Sequence, residues 1–290
     1  MTEHAPDPAP PAAIAFIGGG NMARSLIGGL IAGGTDPGTI RVAAPSESTR
    51  SGLQRDFGVA TFETAAEAVQ GAGVWMFAVK PQVMRGVCED LQAAARAGRP
   101  VAVSVAAGIT SAQMERWLGG DAAVVRAMPN TPSMLGAGVT GMYANAKVDA
   151  AGRRRADAVL ATAGPTVWID DESKMDAVTA TSGSGPAYVF LLAEAMEQAA
   201  IANGLPDEAA RTLVQQTILG AARMLTESGE APAELRRRVT SPGGTTHAAI
   251  TTFEDGGLRD LVARAMSRAT ERGRELSAAN DEAASSGPNR

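Results

Sequence analysis

From Ala13 onward the chain alternates short, almost wholly apolar runs with amphipathic stretches of helical length. AIAFI (13–17) is followed by NMARSLIGGLIAG, whose apolar residues recur at three and four positions, and then by TIRVAA (39–44). A run buried on both faces, a 3.6-residue period and a second run predict a βαβ beginning. Further strand-like runs stand at VWMFAV (74–79), VAVSV (101–105), AVVRA (123–127), GVTGMY (138–143) and TVWI (166–169), separated by segments of helical length. Strands alternating with helices predict a parallel, doubly wound sheet. After about Asp171 the strand pattern stops. AYVFLLAEAMEQAAIANG, PDEAARTLVQQTILGAARMLTESG, PAELRRRV and LRDLVARAMSRATERGREL read as helices, with Gly204 and Gly229 closing two of them and Pro206 and Pro232 opening the next.

The pattern therefore divides the chain into a disordered leader (1–12), an α/β domain (13–171), an all-helical domain (172–278) and a disordered tail (279–290). Broad apolar sides at Tyr188–Leu192 and Leu213–Leu225 are more than a short bundle can bury, which predicts a partner subunit. The leader, MTEHAPDPAPPAA, has no basic stretch running into an apolar one, and no window holds the roughly 18 uninterrupted apolar residues of a membrane helix.

Composition narrows the partners. The 290 residues include 26 basic and 31 acidic ones, a net charge of −5 without a dense positive stripe, which argues against nucleic acid and anionic membranes and for a small molecule. One cysteine, Cys88, excludes an intrachain disulfide and fits a reducing, cytoplasmic setting. With only His4 and His247 as imidazoles, no metal site is expected.

Gly18-Gly19-Gly20-Asn21-Met22-Ala23 follows the first strand and opens the first helix, the G-x-G-x-x-A form of a dinucleotide fingerprint in its required setting. Gly18 makes the tight turn, Gly20 lets a pyrophosphate approach the backbone, Ala23 lets helix pack on strand, and the helix start offers free N–H groups. The second strand ends in Ala43-Ala44-Pro45-Ser46-Glu47-Ser48-Thr49-Arg50, without the acid that would hold a ribose 2′-hydroxyl at its tip. Ser46, Ser48, Thr49 and Arg50 can instead grip a 2′-phosphate, which favours NADPH over NADH. Glu47 opposes that reading, and Arg50 can equally be a solvated residue of the next helix.

FIGGGNMA (16–23), AVKP (78–81), SVAAGI (104–109), RAMPNTPSMLGAGVT (126–140), SGSGPAYVF (182–190), QTILGAARML (216–225) and VTSPGGTT (239–246) together resemble the pyrroline-5-carboxylate reductase family across nearly the whole ordered chain. The resemblance implies a Rossmann-type domain followed by a helical dimerisation domain, as a homodimer or a ring of dimers. It also implies hydride transfer from NADPH, or NADH, to the C=N bond of 1-pyrroline-5-carboxylate, giving L-proline. On this reading SPGGTT, opening a helix over roughly 244–254, serves the substrate. Ser241 and the N–H groups near Gly243, Gly244 and Thr245 bind its carboxylate, and the resemblance places the Thr246 hydroxyl, as the catalytic group, on the ring nitrogen. A serine–proline turn before a capped helix explains Ser241, Pro242 and one threonine, but not the paired glycines plus a second threonine. His247 points about 100° away from Thr246 on such a helix and is given no role.

The resemblance also sets Ala78, Lys80 and Pro81 against the cofactor, although Lys80, one of three lysines, can equally be a charge at a helix start. Ala106, Ala107 and Gly108 follow the next strand at the same edge and border the nicotinamide. Asn130 is a pocket residue or a turn former, and Ser182–Pro186 a ligand contact or a packing turn. Family members often carry an asparagine near Phe62–Ala65 that touches the cofactor ribose; here Ala65 stands instead, which puts that contact in doubt. Two other classes fit the two-domain plan. A reductase of another cyclic imine or a 3-hydroxyacid dehydrogenase is one, although the helical half offers no catalytic lysine beyond Lys174. A non-catalytic dinucleotide sensor is the other, against which the intact SPGGTT counts.

Overall fold

Strands β1 (Ala13–Ile17) and β4 (Ala72–Phe77) lie side by side in an eight-stranded sheet of order β3-β2-β1-β4-β5-β6-β7-β8. The others are β2 (Ile40–Ala43), β3 (Ala60–Phe62), β5 (Val101–Ser104), β6 (Ala123–Met128), β7 (Thr140–Ala144) and β8 (Thr166–Trp168). This is a computed structural model, and it describes residues 13–285; the expected leader and residues 286–290 lie outside them.

β1 and β4 are apolar throughout because both faces of the sheet are covered. Ile14, Phe16, Val74 and Met76 join Leu26 and Ile27 of α1 (Asn21–Ala32) in one cluster. The alternate residues Ala15, Ile17, Trp75 and Phe77 join Met84 and Cys88 of α4 (Pro81–Asp90) in the other. Each large side chain buried this way contributes about 1.5–3 kcal/mol. The sheet is flanked further by α2 (Glu47–Phe57), α3 (Ala65–Ala68), α5 (Gln92–Gly98), α6 (Ser111–Trp117), α7 (Ala150–Leu160) and α8 (Met175–Val178).

Two features depart from the expected pattern. The sheet is not wholly parallel: β7 runs antiparallel to β6, with Val125 opposite Ala144 and Met128 opposite Gly141. The connection between them holds only the short 3₁₀ turn Thr131–Leu135, too little for the crossover that a parallel neighbour needs. β3, three residues paired with β2 at the sheet edge, was not among the predicted strands, being too short to show a period.

The chain forms two compact units, one running to Gly183 and resuming at Ala269, the other spanning Ser184–Arg268. Residues 172–183 therefore go with the sheet. They do so because Arg126, an arginine buried in the otherwise apolar β6, finds its counter-charges there: Asp176 Oδ1 at 3.1 Å and Glu172 Oε1 at 3.6 Å. The expectation of a disordered tail is corrected for residues 279–285: helix α13 (Leu258–Ser285) continues over them, and the Asn280 side-chain amide donates to the Gly108 carbonyl at 2.8 Å. α13 also passes so close to Asp176 that a β-carbon on Gly273 would stand 3.2 Å from it.

In the second unit, α9 (Gly185–Ala202) lies against α10 (Asp207–Glu227), followed by α11 (Pro232–Arg238), α12 (Thr245–Asp255) and the start of α13. Among the described residues this unit buries only Ala210, Val214 and Leu235 as hydrophobics, while Phe190, Leu191, Leu213 and Leu219 are each more than half exposed. An apolar surface of this kind is covered by another chain. Phe190→Glu with Leu191→Glu is expected to shift the protein in sedimentation from an oligomer to the mass of one chain; an unchanged mass would remove α9 from the interface.

Candidate active site

Within each of the two units, the fold gathers one group of residues singled out by the sequence. In the first unit, β1 ends at Ile17 and α1 begins at Asn21, with Gly20 as its N-cap. Gly18 has φ +104°, and a β-carbon there would lie 2.6 Å from the Ala78 carbonyl oxygen, so both its conformation and the neighbouring strand end demand glycine. Gly19 answers to packing instead: a β-carbon would meet Leu53 Cδ1 at 2.7 Å and Thr49 Cγ2 at 2.9 Å, both on α2. At Gly20 a β-carbon would meet nothing within 4 Å, and no side chain caps the helix. The N–H groups of Asn21, Met22 and Ala23 therefore face an open approach, the arrangement a pyrophosphate requires. Ala23 itself is buried against the core. The turn lies at the carboxyl ends of β1 and β4, where chain order reverses across the sheet, the usual ligand crevice of such sheets. The residues present fit a dinucleotide.

The strand ends around the turn hold the other expected contacts unequally. The Ala78 N–H donates to Ile17 O at 2.8 Å and extends the ladder beside the turn, Lys80 is the exposed N-cap of α4, and Pro81 is its first residue. Ala106 is buried, its N–H donating to Ser104 Oγ at 3.2 Å. Gly108 is buried too, with its carbonyl taken by Asn280, so of 106–108 only Ala107 is exposed. At the tip of β2, the Ser46 and Ser48 hydroxyls lie 2.8 Å apart at the uncapped start of α2. Arg50 is neither free nor merely solvated. Its Nη1 donates to the carbonyls of Ala44 and Pro45, both at 2.7 Å, and Nη2 stands 3.9 Å from Glu63, so the guanidinium clamps the loop. Ala65 is the first residue of α3, behind a capping box made by Thr64 and Glu67.

In the second unit, Ser241 to Thr246 form one turn into α12. Gly243 has φ +73°, and the Gly244 N–H donates to Ser241 O at 3.1 Å. A β-carbon on Gly244 would stand 3.1 Å from Ser241 Oγ. The turn thus favours glycine at 243 through its backbone and leaves little room for a side chain at 244. What it does not demand is a helix start without a cap: Gly244 is the N-cap, and no side chain accepts from the first turn. The Thr245, Thr246 and His247 N–H groups are left without a side-chain acceptor, with Ser241 Oγ beside the turn. Thr246 is half-buried, whereas Thr245 and His247 are exposed.

The sequence reading missed the group around Arg126. Glu172, besides facing Arg126, accepts from the Ser111 N–H at 2.6 Å and the Ser111 hydroxyl at 2.5 Å. The available signal was an arginine inside an apolar strand, since a buried arginine requires a carboxylate. Asn130 resolves as a fastener: its amide donates to Ser182 O at 3.1 Å and its oxygen accepts from the Val139 N–H at 3.0 Å. Cys88 is no nucleophile, because burial pushes its thiol up to about 12. Among the described residues no three of His, Cys, Asp or Glu cluster as a metal site would need.

The two glycines of the fingerprint separate fold from binding. Gly18→Ala is expected to lower the thermal midpoint by several degrees, for a cost of roughly 1–3 kcal/mol. Gly20→Ala should leave the midpoint almost unchanged and weaken dinucleotide binding about tenfold or more, the methyl group standing where phosphate approaches. Equal binding by Gly20→Ala and the parent in a fluorescence titration would place the dinucleotide elsewhere.

Comparison with known proteins agrees with both halves. The family described as pyrroline-5-carboxylate reductase dimerisation matches residues 172–276, and that described as NADP oxidoreductase, coenzyme F420-dependent, matches residues 13–108. The chain is 50% identical over 263 residues to a pyrroline-5-carboxylate reductase of Pseudomonas aeruginosa, covering 91% of this chain and 96% of the relative. A solved pyrroline-5-carboxylate reductase from Coxiella burnetii superposes with a TM-score of 0.90 at 42% identity, over 92% of this chain and 99% of that one. The Plasmodium falciparum pyrroline carboxylate reductase with NADP bound superposes with a TM-score of 0.79 at 26% identity, over 92% and 98%. A dinucleotide turn on the sheet, a helical unit with an exposed apolar face and this degree of identity along nearly the whole length place the chain in the pyrroline-5-carboxylate reductase family.

Proposed function

We infer that this chain reduces the C=N bond of 1-pyrroline-5-carboxylate to L-proline with NADPH as hydride donor. The observation that carries the reading is the start of α12: an uncapped helix N-terminus, opened by a glycine turn, with the Ser241 and Thr246 hydroxyls on it. That set suits a small ring bearing one carboxylate and one imine nitrogen. The relatives support neither a hydroxyacid dehydrogenase nor a non-catalytic sensor.

The dinucleotide, when bound, supplies the hydride that adds to the imine carbon. The protein's part is orientation and charge. The first-turn N–H groups of α12 and Ser241 Oγ bind the carboxylate, fixing which face of the ring is presented. The Thr246 hydroxyl donates to the ring nitrogen and draws electrons from the C=N bond, and the proton that completes the amine comes from this hydroxyl or from solution. The N–H groups of Asn21, Met22 and Ala23 hold the pyrophosphate.

Preference for NADPH rests on the hydroxyl pair Ser46 and Ser48 at the open start of α2 and on the lack of an acid at the tip of β2, with Arg50 shaping the loop that presents them. The working species on this reading is a homodimer formed through the helical unit. A single cysteine, held as a buried free thiol, suits a cytoplasmic enzyme.

Loss of reduced-nicotinamide absorbance with 1-pyrroline-5-carboxylate should be saturable and yield proline; cofactor binding without turnover would end the reading. Thr246→Ala is expected to lower turnover roughly 10- to 1000-fold with little change in dinucleotide affinity, and parental turnover would take the hydroxyl out of the mechanism. Arg50→Ala should raise the KM for NADPH more than that for NADH. Equal increases for both would limit Arg50 to clamping the loop.

A further inference from the structure

At the amino edge of the sheet, opposite the glycine turn, lies a cavity of about 320 Å3. The first residues of β5 and β6 line it, and Arg99, Lys147, Arg155, Asp121 and Asp149 stand around it. In a chain with more acidic than basic residues, three cations about one cavity reverse the local charge. Both carboxylates are already engaged. Asp121 Oδ1 accepts from Lys147 Nζ at 2.6 Å, and Asp149 Oδ1 accepts from the Gly152 N–H at 2.6 Å as the cap of α7. The Lys147 hydrogen bond and charge, and then the charge of Arg99, hold the Asp121 carboxyl below its ordinary range. Arg99 and Arg155 have no side-chain hydrogen bond or ion pair among the described residues.

The backbone singles out Arg99 independently. It ends α5 with φ +43° and ψ +53°, and it is the one non-glycine residue with positive φ among those described. Helices commonly stop in this conformation, but on glycine, because a β-carbon there is sterically strained. Here Gly98 lies one residue too early and the arginine takes the strained position, just before Pro100. Backbone strain retained at a residue whose guanidinium makes no hydrogen bond or close ion pair among the described residues, and lends only its charge to Asp121, is a mark of a ligand site.

We propose that this cavity is a second ligand site, which takes a compact anion with several oxygens, phosphate or polycarboxylate, on Arg99 and Arg155. Guanidinium groups match such oxygens in pairs. The site lies across the sheet from the dinucleotide turn, so its ligand does not compete with the cofactor.

The test is calorimetric titration of the full-length protein with inorganic phosphate and, separately, with citrate, at constant ionic strength. Arg99→Gly and Arg155→Gln serve as variants. Arg99→Gly keeps the left-handed turn without its strain, and Arg155 is exposed on α7, so both variants fold. Anion held at the glycine turn persists in both, so the difference from the parent reports the cavity. Saturable binding weakened about tenfold or more in each variant is expected. A response to phosphate alone assigns a phosphorylated ligand, and a response to citrate alone a polycarboxylate. Undiminished affinity in the double variant, or no saturable binding by the parent, overturns the proposal.

Discussion

A charged side chain inside an apolar sheet has to be neutralised, and the architecture at the carboxyl half of the sheet follows from how Arg126 is. Its guanidinium is 6% exposed and meets Asp176 and Glu172, and Glu172 in turn takes both donors of Ser111 at the start of α6. Removing one partner from such a buried set typically costs about 3–5 kcal/mol, because the remaining charge is left without compensation. One residue of β6 thereby fixes α6, the 172–178 segment and, through the close approach of Gly273 to Asp176, the passage of α13. Asn130, two residues beyond the end of β6, repeats the device with neutral groups by joining Ser182 to Val139.

The two candidate sites, one in each unit, use the same chemistry. Each is a helix whose first turn has no side-chain cap, reached through glycines that keep the backbone uncovered. In an ordinary helix, serine, threonine or aspartate would satisfy those N–H groups, as Thr64, Thr110 and Asp149 do at α3, α6 and α7. Among the described residues most helix starts lack such a cap, those of α2, α4, α9, α10 and α11 included. What sets α1 and α12 apart is the glycine run before each, which keeps the first-turn N–H groups open to the anions proposed for them, a pyrophosphate and a substrate carboxylate. Their chemical division is sharp. The first is bare backbone, which suits a phosphate; the second adds hydroxyls, which suit a group with both charge and a nitrogen to orient.

The fingerprint Gly18–Ala23 was legible because its glycines obey local rules of turn and approach, and β1, β2, β5 and β6 fell within a residue or so of their expected bounds because buried strands are mostly apolar. The direction of β7 was not legible, since an apolar run of five residues looks the same whether its neighbour is parallel or antiparallel. Gly19 and Gly244 sit in motifs that suggest a ligand, and side chains bear on both: a β-carbon on Gly19 would collide with Leu53 and Thr49, whereas one on Gly244 would only press on the Ser241 hydroxyl. Residue type and position mark Arg50 and Gly108 for the cofactor but do not reveal that the fold also engages the first on Ala44 and Pro45 and the second on Asn280.

By itself the sequence determined the two-part plan, the position of the dinucleotide turn, the helix-opening SPGGTT and, through its motifs, the family. Those are properties of short range, fixed by hydrophobic period, backbone freedom and the donors of a single turn. Tertiary structure alone decided which carboxylates neutralise Arg126, which carbonyls hold Arg50, where the last helix goes and which helix starts stay uncapped. Each of these depends on groups far apart in the chain, and a hydrogen bond leaves no mark on the spacing of residues until the fold brings its two ends together.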